Sequence, residues 1–175
     1  MAAEPAWTGI HDELAAAKAA VYDPGGFACT PPVPEPESAE YAACAFTLDG
    51  RAVRFRAART TPRKAGLFVT VWQRSEEGPI RPFDAADGVD LFVVAVRDAG
   101  GRGQFVFPAA ALCERGVVSR GGSGGKRGFR VYPPWAHTTS RQARATQAWQ
   151  TRHFLALGPD GCCDPARARA LYGAG

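Results

Sequence analysis

The sequence contains no run near eighteen apolar residues, and residues 1–10 show no basic stretch followed by an apolar one. A membrane-spanning helix and a secretory signal are therefore not expected, and the reading is a cytoplasmic protein with no membrane partner. Cys29, Cys44, Cys113, Cys162 and Cys163 make an odd count without any Cys-x-x-Cys, which suits neither a disulfide framework nor a zinc knuckle. They read as reduced and mostly structural. His11, His137 and His153 have no metal-ligand spacing, so no metal is expected on them. Ser119, Ser123 and Ser140 lie in no Gly-x-Ser-x-Gly context, and a P-loop fails because Arg127 follows Lys126 where Ser or Thr belongs. No repeat of 20–50 residues is present, which excludes a solenoid or propeller.

Acidic residues are missing from two long stretches. Residues 50–75 hold seven cations and residues 115–159 hold eight, with no Asp or Glu in either, so fifteen of the 21 Lys and Arg sit in acid-free sequence. All 17 acids share the rest of the chain with six cations, although the formal net charge is only +4. Segregation of this kind creates a strong local field and favours a polyanionic partner, DNA or RNA.

The chain has 175 residues and 46% hydrophobic content, enough for one domain with its own core. Residues 12–22 read as a helix stopped by Asp23, Pro24 and Gly25. Four prolines make 28–37 an extended connector, after which Ser38 is expected to cap a short helix through Ala43. Asp49-Gly50 between 45–48 and 51–58 signals a tight β-hairpin. The alternation on its second arm puts Val53 and Phe55 on one face and Arg54 and Arg56 on the other. The runs 67–72 and 91–96 are apolar on both faces and read as central, buried strands.

Residues 76–90 read as a loop, 104–107 as a strand, 108–116 as a short helix and 129–132 as a strand stopped by Pro133 and Pro134. A last helix is expected over 141–155, with Ala145, Ala148 and Trp149 as its apolar stripe, followed by a loosely held tail. The expected architecture is α+β, a single domain with a central mixed or antiparallel sheet flanked by helices. Its divisions are an N-terminal helix and connector at 1–37, a core at 38–157 and a tail at 158–175.

The stretch 121–135, GGSGGKRGFRVYPPW, runs from the most flexible composition in the chain into three cations and three rings. Lys126, Arg127 and Arg130 offer charge to phosphates, and Tyr132 and Trp135 offer faces for unpaired bases. Arg56, Arg59 and Lys64 from the first acid-free segment, and Arg141 and Arg144 from the second, complete the candidate binding set.

Five motifs in order, TPRKAGLFVTVWQR at 61–74, VDLFVV at 89–94, GQFVFP at 103–108, GKRGFRVYPPW at 125–135 and QARATQAWQ at 142–150, make the chain resemble the MepB-like proteins. Those are small bacterial proteins named from a gene beside a multidrug efflux operon. The resemblance implies a restriction-endonuclease-like core and nucleic-acid binding. Arg59 and Ala109 stand where the family pattern has lysines; the first change keeps the charge and the second removes it.

A nuclease of that fold holds Mg²⁺ on two carboxylates with a lysine nearby. The nearest match is Asp90 with Gln104 in place of the second acid and Val106 in place of the lysine. In an ideal hairpin turning near Gly100, Asp90 and Gln104 are about seven residues apart, roughly 23 Å. The leading expectation is therefore a nucleic-acid-binding protein without a cofactor, acting on single-stranded or flexible DNA or RNA. A Mg²⁺-dependent nuclease is the alternative, and a non-enzymatic partner or small-molecule binder linked to drug resistance is a further one.

Overall fold

The computed structural model describes residue 7 and residues 9–74 and 78–173. Helix α1 (Asp12–Ala17) is capped by the His11 side chain, whose Nδ1 accepts the Glu13 N–H at 3.1 Å. It runs on as one wider π turn over Lys18–Tyr22 before Pro24 ends it. The proline-rich connector contributes a two-residue edge strand, β1 (Val33–Pro34). A 3-10 turn over Pro36–Tyr41 follows, but Ser38 does not cap it: its buried Oγ accepts from Thr70 Oγ1 at 2.8 Å.

Strands β2 (Cys44–Leu48) and β3 (Arg51–Ala57) form the expected hairpin. Asp49 and Gly50 both carry positive φ, 50° and 80°, as a two-residue turn matched to strand twist requires. The chain then leaves the main sheet to make β4 (Arg59–Thr60), β5 (Leu67–Thr70), β6 (Trp72–Arg74) and β7 (Ile80–Pro82). It returns as β8 (Leu91–Asp98), which lies parallel to β3 and antiparallel to β9 (Gly101–Pro108). After α2 (Ala109–Glu114) come β10 (Gly128–Val131), α3 (Arg141–Gln150), β11 (Phe154–Leu157) and α4 (Pro165–Tyr172).

Six strands in the order β1-β2-β3-β8-β9-β11 make the central mixed sheet, so the α+β architecture holds. β8 is buried on both faces. Leu91, Val93 and Ala95 join Phe46, Phe55, Tyr22 and Tyr172 in a core under α1 and α4, while Phe92, Val94 and Val96 join Phe105, Phe107 and Val131 in a second core on the other face. The run 67–72 is not central in this sheet. β5 instead lies in the middle of a separate three-stranded sheet, β10-β5-β4, with Leu67 and Val69 facing the second core and Phe68 and Thr70 turned away.

Helical periodicity over 141–155 overreached. α3 ends at Gln150, a 3-10 turn over Thr151–His153 follows, and 154–157 pairs with β9 as an edge strand. The helix also presents a different face from the one expected: Ala145 and Ala148 are exposed and Gln150 is fully buried. The tail is not loose, because α4 drives Tyr172 into the first core, where its hydroxyl meets those of Tyr22 and the amide of Gln104. No helix among the described residues is long and apolar enough to cross a membrane.

Candidate functional site

The three-stranded sheet brings the two acid-free segments side by side. Phe68 is the register partner of Arg59 on β4 and of Arg130 on β10. Directly opposed residues share a face, and neighbouring strands lie about 4.8 Å apart, so Arg59 and Arg130 stand in one row roughly 10 Å from each other. That row faces away from the core because Phe129 and Val131, one step out of phase, are buried in it. The Arg130 guanidinium donates to Thr61 Oγ1 at 2.7 Å and to Ala65 O at 3.2 Å, bracing the turn that exposes Arg63 and Lys64.

Between β10 and α3 lies a cleft of about 430 Å³ whose walls include Arg115, Lys126, Phe129, Arg130, Tyr132 and Trp149, with no Asp or Glu among its lining residues. Two glutamines dock the helix there. Gln150 accepts the Tyr132 N–H and donates to Arg130 O, each at 2.8 Å, and Gln147 donates to Pro133 O at 2.8 Å and Ala136 O at 3.0 Å. A helix face built on such amides carries no hydrophobic signature, which is why the alanine stripe misled. Ser140 caps α3 by accepting the Ala143 N–H at 3.0 Å, and Ser140, Gln142 and Ala143 line the cleft, adding the positive end of the helix dipole. The Arg115 guanidinium lies 5.1 Å from the Trp149 ring centre. Burial and the cations Arg167, Arg152 and Arg115 push the nearby His153 below its ordinary value.

The glycine stretch ahead of Lys126 is held rather than slack. Arg120 and Ser123 exchange backbone hydrogen bonds of 2.9 and 3.1 Å around Gly121 and Gly122, whose φ values of 61° and 80° side chains rarely adopt. The Asp84 carboxylate accepts from Gly122 N at 3.0 Å, Ala86 N at 2.9 Å and Ser119 Oγ at 2.7 Å. Those donors, the Gly122 amide foremost, push its carboxyl down to about 2. Gly125 N then bonds to Gly116 O and Lys126 N to Val117 O, which delivers Lys126 to the cleft.

Lys126, Arg130 and Tyr132 thus share one cleft, with Arg141 and Arg144 exposed on the adjoining helix and Arg127 exposed beside β10. No carboxylate among the described residues forms an ion pair with Arg115, Lys126, Arg127, Arg130, Arg141 or Arg144. Arg59 is 60% exposed, 3.7 Å from an equally open Glu40, a pair worth little in water.

Two candidates do not reach the site. Arg56 is 2% exposed and tied to Glu35 at 2.7 Å, with Phe83 beneath it, so it has no free donor face for a phosphate. Trp135 packs edge-on against Phe154 and over Gly100 and Gly101, its indole N–H donating to Asp98 at 2.7 Å; its ring is a wall of the core. Arg115 and Gln150 were not singled out beforehand, and only the position of Arg115 inside the acid-free segment pointed to it.

Asp90 and Gln104 do not meet. Asp90 fixes the start of β8, its carboxylate accepting Ala52 N at 2.8 Å and its carbonyl accepting Ala109 N at 3.0 Å. Gln104 is paired with Ala95, which lies five residues from Asp90 along β8, about 17 Å by strand rise and shorter than the ideal hairpin suggested. An odd offset also puts the two on opposite faces, and Gln104 is buried against Tyr172. Among the described residues no group of three His, Cys, Asp or Glu side chains is placed to hold a metal ion.

A family model described as MepB-like matches residues 35–156. The crystal structure of MepB aligns with a TM-score of 0.70 at 33% sequence identity, covering 73% of this chain and 86% of that one. No curated protein matches the chain.

Proposed function

Starting from a chain that belongs to the MepB-like family, we propose that the cleft between β10 and α3 binds a nucleic-acid strand with unpaired bases. The observation that carries this reading is the union of the two acid-free segments on one face, with Arg59 and Arg130 in a single row beside a carboxylate-free cleft. Lys126, Arg130 and Arg115 take phosphates, Arg141 and Arg144 extend the track along α3, and the Tyr132 ring stacks on a base. Stacking contributes about 1–3 kcal/mol per base, and each phosphate contact adds salt dependence. A cleft of about 430 Å³ suits a base swung out of a strand better than a duplex.

Binding without cleavage is supported by the separation of Asp90 from Gln104. A restriction-endonuclease-like core belongs to the same proposal, supported by a mixed sheet whose one parallel pair, β3 with β8, sits between antiparallel hairpins.

The test is fluorescence anisotropy with single-stranded DNA, duplex DNA and RNA at two salt concentrations. Affinity for the single strands falls steeply with salt, and Lys126→Ala lowers the logarithmic salt slope by about 0.7 without unfolding the protein. Binding that ignores salt, or no binding at low salt, overturns the reading.

A further inference from the structure

A second cavity, of about 410 Å³, lies on the other side of the central sheet. All of its lining residues fall within 16–27 or 160–169, outside the segment 35–156 shared with the family. It is therefore built from segments outside the matched core, and it does not depend on the nucleic-acid reading. Ala16, Ala20, Phe27 and Ala168 give it an apolar lining, and Cys162 and Cys163 line the same space.

The two cysteines are held in a fixed turn. Gly158 N donates to Cys162 O at 2.8 Å, Gly161 N to Gly158 O at 2.9 Å, and Asp160 accepts the Cys162 N–H at 3.1 Å. The Cys163 thiol donates to Ala20 O at 3.5 Å, across to the helical wall. Adjacent residues have Cα atoms about 3.8 Å apart, so two thiols lining one cavity can close on a single atom.

We propose that this cavity binds small apolar molecules carrying a centre that takes two sulfurs, the chemical class of trivalent arylarsenicals. The aryl group occupies the alanine-lined space while arsenic bridges Cys162 and Cys163. In the condensation two S–As bonds form and both S–H bonds break. The oxo oxygen of the arsenical leaves with the two thiol protons as water, arsenic stays trivalent, and no oxidant or reductant is consumed.

The surroundings favour the protonated form of both thiols. The Asp160 carboxylate, hydrogen-bonded to the Cys162 thiol, holds its pKa above the ordinary value, and burial raises that of Cys163.

The probe is phenylarsine oxide, compared with its methyl counterpart, on the full chain. Intact-mass analysis is expected to give a one-to-one adduct with two of the five thiols lost, and peptide mapping to place it on Cys162 and Cys163. The phenyl compound binds at least about tenfold more tightly than the methyl one. Ala19→Leu, at an exposed position lining the same space, removes that preference, and Cys163→Ser abolishes the stable adduct. Circular dichroism checks that both variants fold. An adduct on Cys29, Cys44 or Cys113, equal affinity for both compounds, or a phenyl preference that survives Ala19→Leu overturns the proposal.

Discussion

In the first acid-free segment Arg54 and Arg56 converge on Glu35, at 3.4 and 2.7 Å, and stack over Phe83. In the second, Lys126, Arg130 and Arg141 pair with no carboxylate among the described residues. The two segments look alike along the chain, yet the first has Arg54 and Arg56, two of its seven cations, drawn onto a carboxylate from outside itself while Arg63 and Lys64 stay exposed, and the second has no cation so held among the described residues. A single carboxylate, delivered across the sheet by the proline-rich connector, makes the difference. Counting charge in a segment bounds the field it can produce; the partner brought by folding decides how much of that field reaches solvent.

The strongest way to break this comparison is Arg56→Ala. Removing Arg56 leaves Glu35 with only the longer contact to Arg54 at 3.4 Å, so a loss near the lower end of about 3–5 kcal/mol is expected in denaturant titration. A loss under about 1 kcal/mol, as at an exposed pair, would make the two segments equivalent. Next comes the pair of rings. Trp135→Ala is expected to cost about 2–3 kcal/mol of stability, below the range for a fully buried ring because its side chain is only partly covered, and to leave oligonucleotide affinity unchanged. Tyr132→Ala is expected to weaken oligonucleotide binding by about tenfold, within the range for one stacked base. Reversal of those two outcomes exchanges the roles of the rings.

The smallest effect concerns the turn ahead of Lys126. The Asp84 carboxyl sits at about 2 in the folded chain, below the ordinary value of about 3.9. Its stabilisation is complete above that ordinary value and fades as pH falls towards about 2, because the unfolded chain takes up the proton first. Protection of the Gly122 amide against hydrogen exchange, taken relative to its intrinsic rate at each pH, then falls over that interval, whereas Asp84→Asn removes this fall. Flat protection across it would mean that the turn holds itself.

What could be read in the sequence was mostly local. Asp49-Gly50 marked its hairpin because a two-residue turn imposes its own backbone angles, and 91–96 marked a strand buried on both sides because every residue in it is apolar. The apolar run 67–72 misled for the same reason: its composition says that it is covered, not which sheet covers it. Residues 154 and 155, which open the strand Phe154–Leu157, were read as the end of a helix, since nothing in the local pattern registers that β9 offers an open edge there. Arg59 and Arg130 became neighbours through Phe68, a pairing set by strand order rather than by spacing, and the capture of Arg56 by Glu35 was equally invisible.

The path of the chain between β3 and β8 ties the two sheets into one cooperative unit. The excursion supplies β4 and β5, the third strand β10 follows β9 and α2 in the chain, and Leu67, Val69 and Val131 of the small sheet share the second core with Phe92, Val94 and Phe105 of the central one. Melting either sheet uncovers the second core that both of them line. Under the proposed function, an oligonucleotide bound to the small sheet stabilises the whole domain, so its melting temperature rises with the logarithm of oligonucleotide concentration above Kd, and protection extends to Leu91 and Val93 in the central sheet.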